Sequence, residues 1–81
     1  MMKKIILNGK LMENNPHEYM KKSLNFPEYY GKNLDALFDC LSEIGEKTEI
    51  TLIYSKKIKK TIITTFKDAE KENPYLSIKI E

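Results

Sequence analysis

The sequence predicts an α/β protein in which a three-stranded parallel sheet and three helices form two layers. Patterns typical of strands and helices follow one another in the order strand, helix, helix, strand, helix, strand. Helical crossovers between strands favour parallel pairing with right-handed connections. The chain has 81 residues, of which 41% are hydrophobic and 32% charged, and this composition is typical of one small globular domain.

The first half of the chain supplies one strand and two helices. Residues 3–8 contain a short apolar run, which predicts a strand covered on both faces or lying within a parallel sheet, and the following Asn-Gly predicts a turn. The first helix is predicted to begin at Asn15, with Pro16 at the first helical position and Glu18 three residues after the cap. It extends to about residue 24, and a proline three residues later prevents its continuation.

The second helix carries two different stripes. Its apolar residues recur with helical spacing and should face the core; they are Leu34, Leu37, Leu41 and Ile44. Asp35, Asp39 and Ser42 form a second stripe, centred roughly 120° round the helix, and Phe38 lies on the seam between the two. The helix is predicted to end near Gly45, because glycine suits a left-handed cap.

The second half of the chain supplies two strands and one helical region. Residues 49–54 are β-branched and aromatic, and residues 75–80 alternate, so both segments predict strands. Ser55 can cap a third helix, whose apolar positions are Ile58, Ile62, Phe66 and Ala69. Because residues 61–65 are rich in β-branched side chains, the sequence leaves open whether residues 55–72 form one helix or two.

The charge of the chain is unevenly distributed. The formal net charge is +2, but residues 25–49 hold six acidic residues and two lysines, a net charge of −4, and the remainder carries +6. Two carboxylates four residues apart on one helix repel each other. An acidic stripe beside Tyr29, Tyr30 and Phe38 combines charge with rigid apolar anchors, which indicates a surface for a cationic protein partner. The alternative is a merely solvated helix face.

No catalytic, metal or cofactor site is predicted, so we do not expect an enzyme. His17 and Cys40 are the single histidine and cysteine, which is too few for a zinc site, and nothing in the sequence brings them together as a nucleophilic pair. The three glycines are isolated, so no phosphate-binding loop is present. Residues 5–7 are too short an apolar run for a signal peptide, and no run approaches a membrane span, so we expect a cytoplasmic protein without a membrane partner.

A basic cluster, defined as Lys56, Lys57, Lys59 and Lys60, is the other charged feature of the sequence. Such a cluster can neutralise phosphates, so an RNA-associated protein is an alternative function. No aromatic residues interleave with these lysines to stack bases. A solvated surface is therefore the favoured interpretation, and direct binding of nucleic acid is not expected.

Residues 27–41 read P-E-Y-Y-G-K-N-L-D-A-L-F-D-C-L. This segment resembles, nearly residue for residue, the barstar family of intracellular inhibitors of barnase-type ribonucleases. The first strand, the first helix and residues 66–69 are similar to the family more loosely. The resemblance implies one barstar-like domain over residues 1–81, with a three-stranded parallel sheet, and implies that a short family helix after Tyr54 is reduced or merged.

The resemblance also implies a function, which is inhibition of a ribonuclease by carboxylates that occupy the positions of RNA phosphates. It implies that Asp39 is the central phosphate mimic, that Asp35 accepts from neighbouring donors, and that Tyr29 packs against a catalytic histidine. Further partner-binding positions implied by the resemblance are Asn33, Phe38 in place of a family tryptophan, Ser42, and Asp68 in place of a family glutamate. The expected partner is a secreted or toxin-type ribonuclease, bound 1:1 by a protein that is monomeric when free. A non-nuclease target for the same fold is the alternative.

Overall fold

A computed structural model describes residues 2–81, which form three parallel strands and three α-helices. The strands are β1 (Lys3–Asn8), β2 (Thr48–Ile53) and β3 (Leu76–Ile80), and the helices are α1 (Pro16–Ser23), α2 (Leu34–Ser42) and α3 (Lys60–Glu72). The predicted α/β class with a three-stranded parallel sheet is confirmed. Met1, the first residue of the segment considered for a signal peptide, lies outside the described residues.

The sheet has the order β1-β2-β3, so both crossovers move in the same direction across it. Right-handed crossovers then place the helices on one face, and the inward residues of β2 are buried in strict alternation. The other face carries no layer, and Ile6 on it is 63% exposed. Of the two alternatives predicted for β1, the second holds: β1 lies in a parallel sheet, as an edge strand with one covered face.

The core lies between the sheet and the helices. Its largest fully buried side chains come from all three α-helices and from two strands; they are Phe66, Leu7, Met20, Leu37, Leu41, Ile50 and Leu52. Leu7 lies opposite Leu52, and Ile50 lies between Ile5 and Ile78, so the parallel register stacks apolar side chains in rows. Within residues 2–81 no helix is long and apolar enough to cross a membrane.

The helix starts agree with the predictions for α1 and differ for α3. Asn15 caps α1, with its Oδ1 accepting from the Glu18 N–H at 3.3 Å. The segment from Ser55 to Lys57 is a separate 3-10 turn, and α3 begins only at Lys60, so the predicted cap at Ser55 is wrong. The cause is Ile58, which is extended and buried and therefore interrupts the helical path.

Gly9 allows the end of β1 to approach the end of β2. A Cβ at this position would clash with the Tyr54 carbonyl oxygen and would lie 2.9 Å from the Ile58 Cγ1 atom. Backbone atoms this close must separate, so an alanine here would push apart the two strand ends.

We expect Gly9→Ala to lower the free energy of unfolding by about 2 kcal/mol, the usual cost of overpacking. Thermal melting followed by circular dichroism should therefore show a midpoint roughly 10 °C lower. Gly45→Ala is the matched control, because a Cβ there meets nothing within 4 Å and no glycine has a positive φ. Equal midpoints for the two variants would contradict the close approach.

Candidate protein-binding site

The predicted binding helix α2 is fixed at its start by Asn33. The Asn33 Oδ1 atom accepts from the Ala36 N–H at 2.8 Å, and its amide nitrogen donates to the Gly31 carbonyl oxygen at 3.3 Å. Lys32, between these partners, has a φ of 55°, a left-handed conformation that costs a non-glycine residue about 1 kcal/mol. The Asn33 side chain therefore holds the loop before α2 in one conformation.

The same loop is anchored to α1 through Tyr30. Tyr30 is only 5% exposed, so the prediction that it anchors a partner beside Tyr29 is wrong, and its hydroxyl is instead hydrogen-bonded to the His17 Nδ1 atom at 2.7 Å. Burial, with a smaller contribution from nearby Cys40, raises the pKa of Tyr30 to about 12. Burial and then the positive charge of Lys59 lower the pKa of His17. Both groups therefore stay neutral at neutral pH, and their hydrogen bond ties the loop to α1.

The acidic stripe is exposed where it was predicted. Asp35 and Asp39 are both exposed on α2, and within residues 2–81 neither forms an ion pair. Lys32, the lysine nearest to them in sequence, is instead paired with Glu18 at 2.7 Å. Within residues 2–81, no lysine is therefore paired with either carboxylate of the stripe.

Aromatic side chains lie on both sides of this stripe. Tyr29 is 85% exposed, and it borders a shallow groove of about 370 Å³ that is also lined by Cys40 of α2 and by Glu43, which directly follows α2. Phe38 lies on the opposite side of the helix and is half-buried against the core. Tyr29 can therefore offer a whole ring to a partner, whereas Phe38 can offer only part of one.

The apolar stripe of α2 is buried along most of its length. Leu37 and Leu41 are fully buried, and Ile44 packs against the core just beyond the end of the helix. Leu34 differs from the prediction because it is 36% exposed. It is the first residue of the helix, and the buried stripe begins one turn later, at Leu37.

The C-terminal end of α2 is capped from a distant part of the chain. Asn73 is 4% exposed, and its amide nitrogen donates to the carbonyl oxygens of Leu41 at 3.0 Å, Ser42 at 3.4 Å and Ile44 at 2.9 Å. These are carbonyls that a helix end leaves without partners. The predicted left-handed cap at Gly45 is wrong, because no described glycine has a positive φ and a side-chain amide supplies the hydrogen bonds instead.

Two further predicted site residues are Ser42, the third member of the stripe, and Asp68 on α3. Ser42 is half-buried, and its hydroxyl oxygen is buried without a hydrogen-bond partner within residues 2–81. Asp68 is exposed on α3, which packs against α2. Glu70 marks the opposite flank of α3, since its carboxylate accepts from the Ile78 N–H at 2.7 Å on β3. Asp68 therefore lies on the flank of α3 away from β3.

We expect Ser42→Ala to raise the free energy of unfolding by about 1 kcal/mol, because it removes an unsatisfied buried hydroxyl and favours the helix. Urea denaturation followed by circular dichroism measures this change. A fall of similar size would mean that the hydroxyl is bonded in solution. Weaker binding of a partner by the same stabilised variant would show that the hydroxyl turns outward in the complex.

His17 and Cys40 do not form a nucleophilic pair. The Nδ1 atom of His17 is hydrogen-bonded to the Tyr30 hydroxyl instead. Burial, followed by the negative charges of Glu43 and Asp39, raises the pKa of Cys40, so its sulfur is a thiol at neutral pH. Within residues 2–81 no three histidine, cysteine or acidic side chains come together as metal ligands.

Two contacts of this site could not be found from local sequence patterns. The hydrogen bond between His17 and Tyr30 joins residues of two separate elements, and the cap at Asn73 joins positions about thirty apart. The Asn-Pro pair at residues 73–74 indicated only the end of α3.

Comparison with known proteins identifies related sequences. The family model described as "Barstar (barnase inhibitor)" matches residues 2–75. The chain is also 54% identical, over 43 residues, to the Bacillus subtilis (strain 168) protein named "Putative ribonuclease inhibitor YrdF". That match covers 51% of this chain and 47% of the relative, or about half the length of each. Because the family model spans nearly the whole sequence, the chain belongs to the barstar family.

Proposed function

We propose that this protein inhibits a barnase-type ribonuclease by laying α2 and the loop before it across the enzyme's RNA-binding cleft. The observation that carries the proposal is the exposed pair Asp35 and Asp39, which forms no ion pair within residues 2–81 and lies on a helix fixed at both ends. A ribonuclease cleft presents cations to RNA phosphates, and carboxylates can accept the same charge-assisted hydrogen bonds. The family description supports this choice of target.

Each side chain of the surface has a role in this proposal. Asp39 takes the place of the central phosphate and pairs with the catalytic cations. Asp35 accepts from neighbouring donors, and the exposed ring of Tyr29 packs against a catalytic histidine. Asn33 holds the loop as a cap and offers its remaining amide hydrogen at the rim.

The preformed loop and helix favour tight binding. The Asn33 cap, the bond between His17 and Tyr30, and the Asn73 cap each exist in the free protein. Little ordering is then needed when the partner arrives, and ordering is one of the main costs of association.

Charge has a local rather than a global role in this complex. The whole chain carries +2, whereas residues 25–49 carry −4. The long-range attraction of a basic enzyme is therefore modest, and affinity depends on the fit around Asp39. Phe38 contributes only the exposed part of its ring to the interface, and Ser42 and Asp68 contribute contacts at the edge of the interface.

In the cell, the proposed role is that of an antitoxin or immunity protein. An intracellular inhibitor of this kind protects its host from a ribonuclease that is secreted or deployed as a toxin. The complex is proposed to be 1:1, formed by a protein that is monomeric when free.

Titration of ribonuclease activity tests the proposal. Increasing amounts of the protein are added to fixed amounts of several barnase-type ribonucleases, including any encoded next to it, and cleavage of a fluorogenic RNA is followed. Activity of the true target should fall linearly to zero at one equivalent. Full activity of every enzyme at large molar excess would contradict the proposal, and binding without inhibition would indicate a non-nuclease role.

A further inference from the structure

The basic cluster lies at the end of the sheet where the strands terminate. Lys56, Lys57, Lys59 and Lys60 are all exposed, and only Lys57 is paired, with Glu13 at 3.6 Å. Among the residues that the structure describes, 2–81, the other three lysines of the cluster form no ion pair. Lys59 is the N-cap residue of α3 and makes no side-chain cap hydrogen bond. Positive charges at a helix N-terminus are unfavourable to the helix dipole, so the fold retains this cluster at a cost in stability.

An aromatic ring lies beside these lysines, although the sequence alone placed none among them. Tyr54 directly precedes the 3-10 turn that carries Lys56, and its side chain is 49% exposed. It has a φ of 52°, the strained left-handed conformation. The Lys10 Nζ atom lies 4.1 Å from the centroid of the ring, within the range of a cation–π contact. One face of the ring is therefore fixed against a cation.

The ring also borders an open groove of about 600 Å³ with mostly apolar walls. The groove is lined by Ile53, Tyr54, Ser55, Lys56, Lys57 and Glu81. Lys10 is not among the residues that line this groove, and Tyr54 is 49% exposed, so part of the ring surface remains open to a ligand. A second groove of about 300 Å³ lies on the other side of Lys56 and Lys57 and includes Lys59. The two lysines thus form a ridge between two grooves.

We propose that this end of the sheet binds single-stranded RNA, with a base stacked on Tyr54 and phosphates on the basic cluster. Stacking on an aromatic side chain together with a cationic track is how proteins hold single strands without sequence preference. An acidic protein segment could pair with the lysines, but it would leave the apolar groove beside Tyr54 empty. Glu81 repels phosphates at the edge of the first groove, whereas Glu13 in the second groove is paired with Lys57. The strand therefore runs toward Lys59. This surface goes beyond the proposed inhibition and uses none of α2.

Fluorescence anisotropy of a short labelled oligouridylate with the free protein tests this inference. If about three phosphates are neutralised, affinity should fall roughly 20-fold between about 50 and 200 mM salt. Tyr54→Leu should weaken binding at least about fivefold, whereas Tyr54→Phe should retain it. Lys56→Ser with Lys57→Ser should weaken binding and flatten the salt dependence.

Lys67→Ser with Lys71→Ser is the matched control, because both lysines are exposed on α3 outside the two grooves and the change in charge is the same. Binding that survives the control pair but not the Tyr54→Leu or cluster variants would support the proposal. Absence of binding at low salt would overturn it, as would equal weakening by both lysine pairs. Tight binding of an acidic peptide in place of RNA would overturn it in favour of a protein partner.

Discussion

Replacing Asp39 with alanine should weaken the complex with the target ribonuclease by at least about 2 kcal/mol, or roughly thirtyfold in Kd. Asp39 is exposed at the middle of α2 and forms no ion pair within residues 2–81, so its charge is free for the partner. Its loss would leave a cation of the enzyme buried and unpaired, which accounts for much of the cost. Isothermal titration calorimetry against the inhibited enzyme measures the change.

Glu46→Ala is the matched control for Asp39→Ala because it removes the same charge. Glu46 lies outside α2, and within residues 2–81 its one ion pair is with Lys3, at a distance of 3.9 Å. A solvent-exposed pair of this length contributes about 0–1 kcal/mol, so the control should bind nearly as well as the unchanged protein. Small and equal losses for the two variants would mean that the acidic stripe is not the interface.

Asn73→Ala should lower the free energy of unfolding by about 3 kcal/mol. The Asn73 amide donates to the carbonyls of Leu41 and Ile44, and its oxygen accepts from the Tyr75 N–H at 2.9 Å. Each buried hydrogen bond of this kind is worth about 1 kcal/mol, and the abandoned carbonyls add a desolvation cost. Because the same bonds fix the end of α2, affinity for the ribonuclease should fall as well. Urea denaturation and hydrogen exchange of the α2 amides measure these effects.

Two further variants test whether the loss of stability comes from the lost hydrogen bonds. One keeps the volume of the side chain, and the other replaces a different, exposed asparagine. Asn73→Asp keeps the size of the side chain but removes the donor, so it should destabilise at least as much as alanine. Asn14→Ala changes an exposed asparagine before α1 and should have little effect. If Asn73→Asp were as stable as the Asn14→Ala control, the capping role of Asn73 would be wrong.

Much of the fold follows from short-range patterns in the sequence. Three features were predicted correctly: the order of the elements, the cap of α1 at Asn15 and the boundaries of β1. Each depends on residues that are only a few positions apart in the chain. The errors arose where tertiary contacts decide. Ile58 is buried and extended, so it delays α3, and a three-stranded sheet leaves one face open, so Ile6 is exposed.

The part of the candidate site that lies in one continuous segment could be predicted from the sequence. The contacts from distant residues that hold this segment in place could not. The exposed aspartates and the ring of Tyr29 lie within one segment, and helical spacing places them on one surface. The contacts that hold this surface in place come from His17 and Asn73, which no spacing rule connects to α2. The open groove beside Tyr54 likewise depends on how the strand ends come together.

The mode of inhibition tests the central claim, that the acidic helix occupies the positions of RNA phosphates, most directly. Initial rates of RNA cleavage by the target ribonuclease are measured at several concentrations of substrate and of this protein, under conditions of rapid exchange. Occupation of the phosphate sites predicts competitive inhibition, in which the apparent KM rises with inhibitor while kcat is unchanged. A fall in kcat with an unchanged KM would contradict it, because substrate and inhibitor would then be bound at the same time.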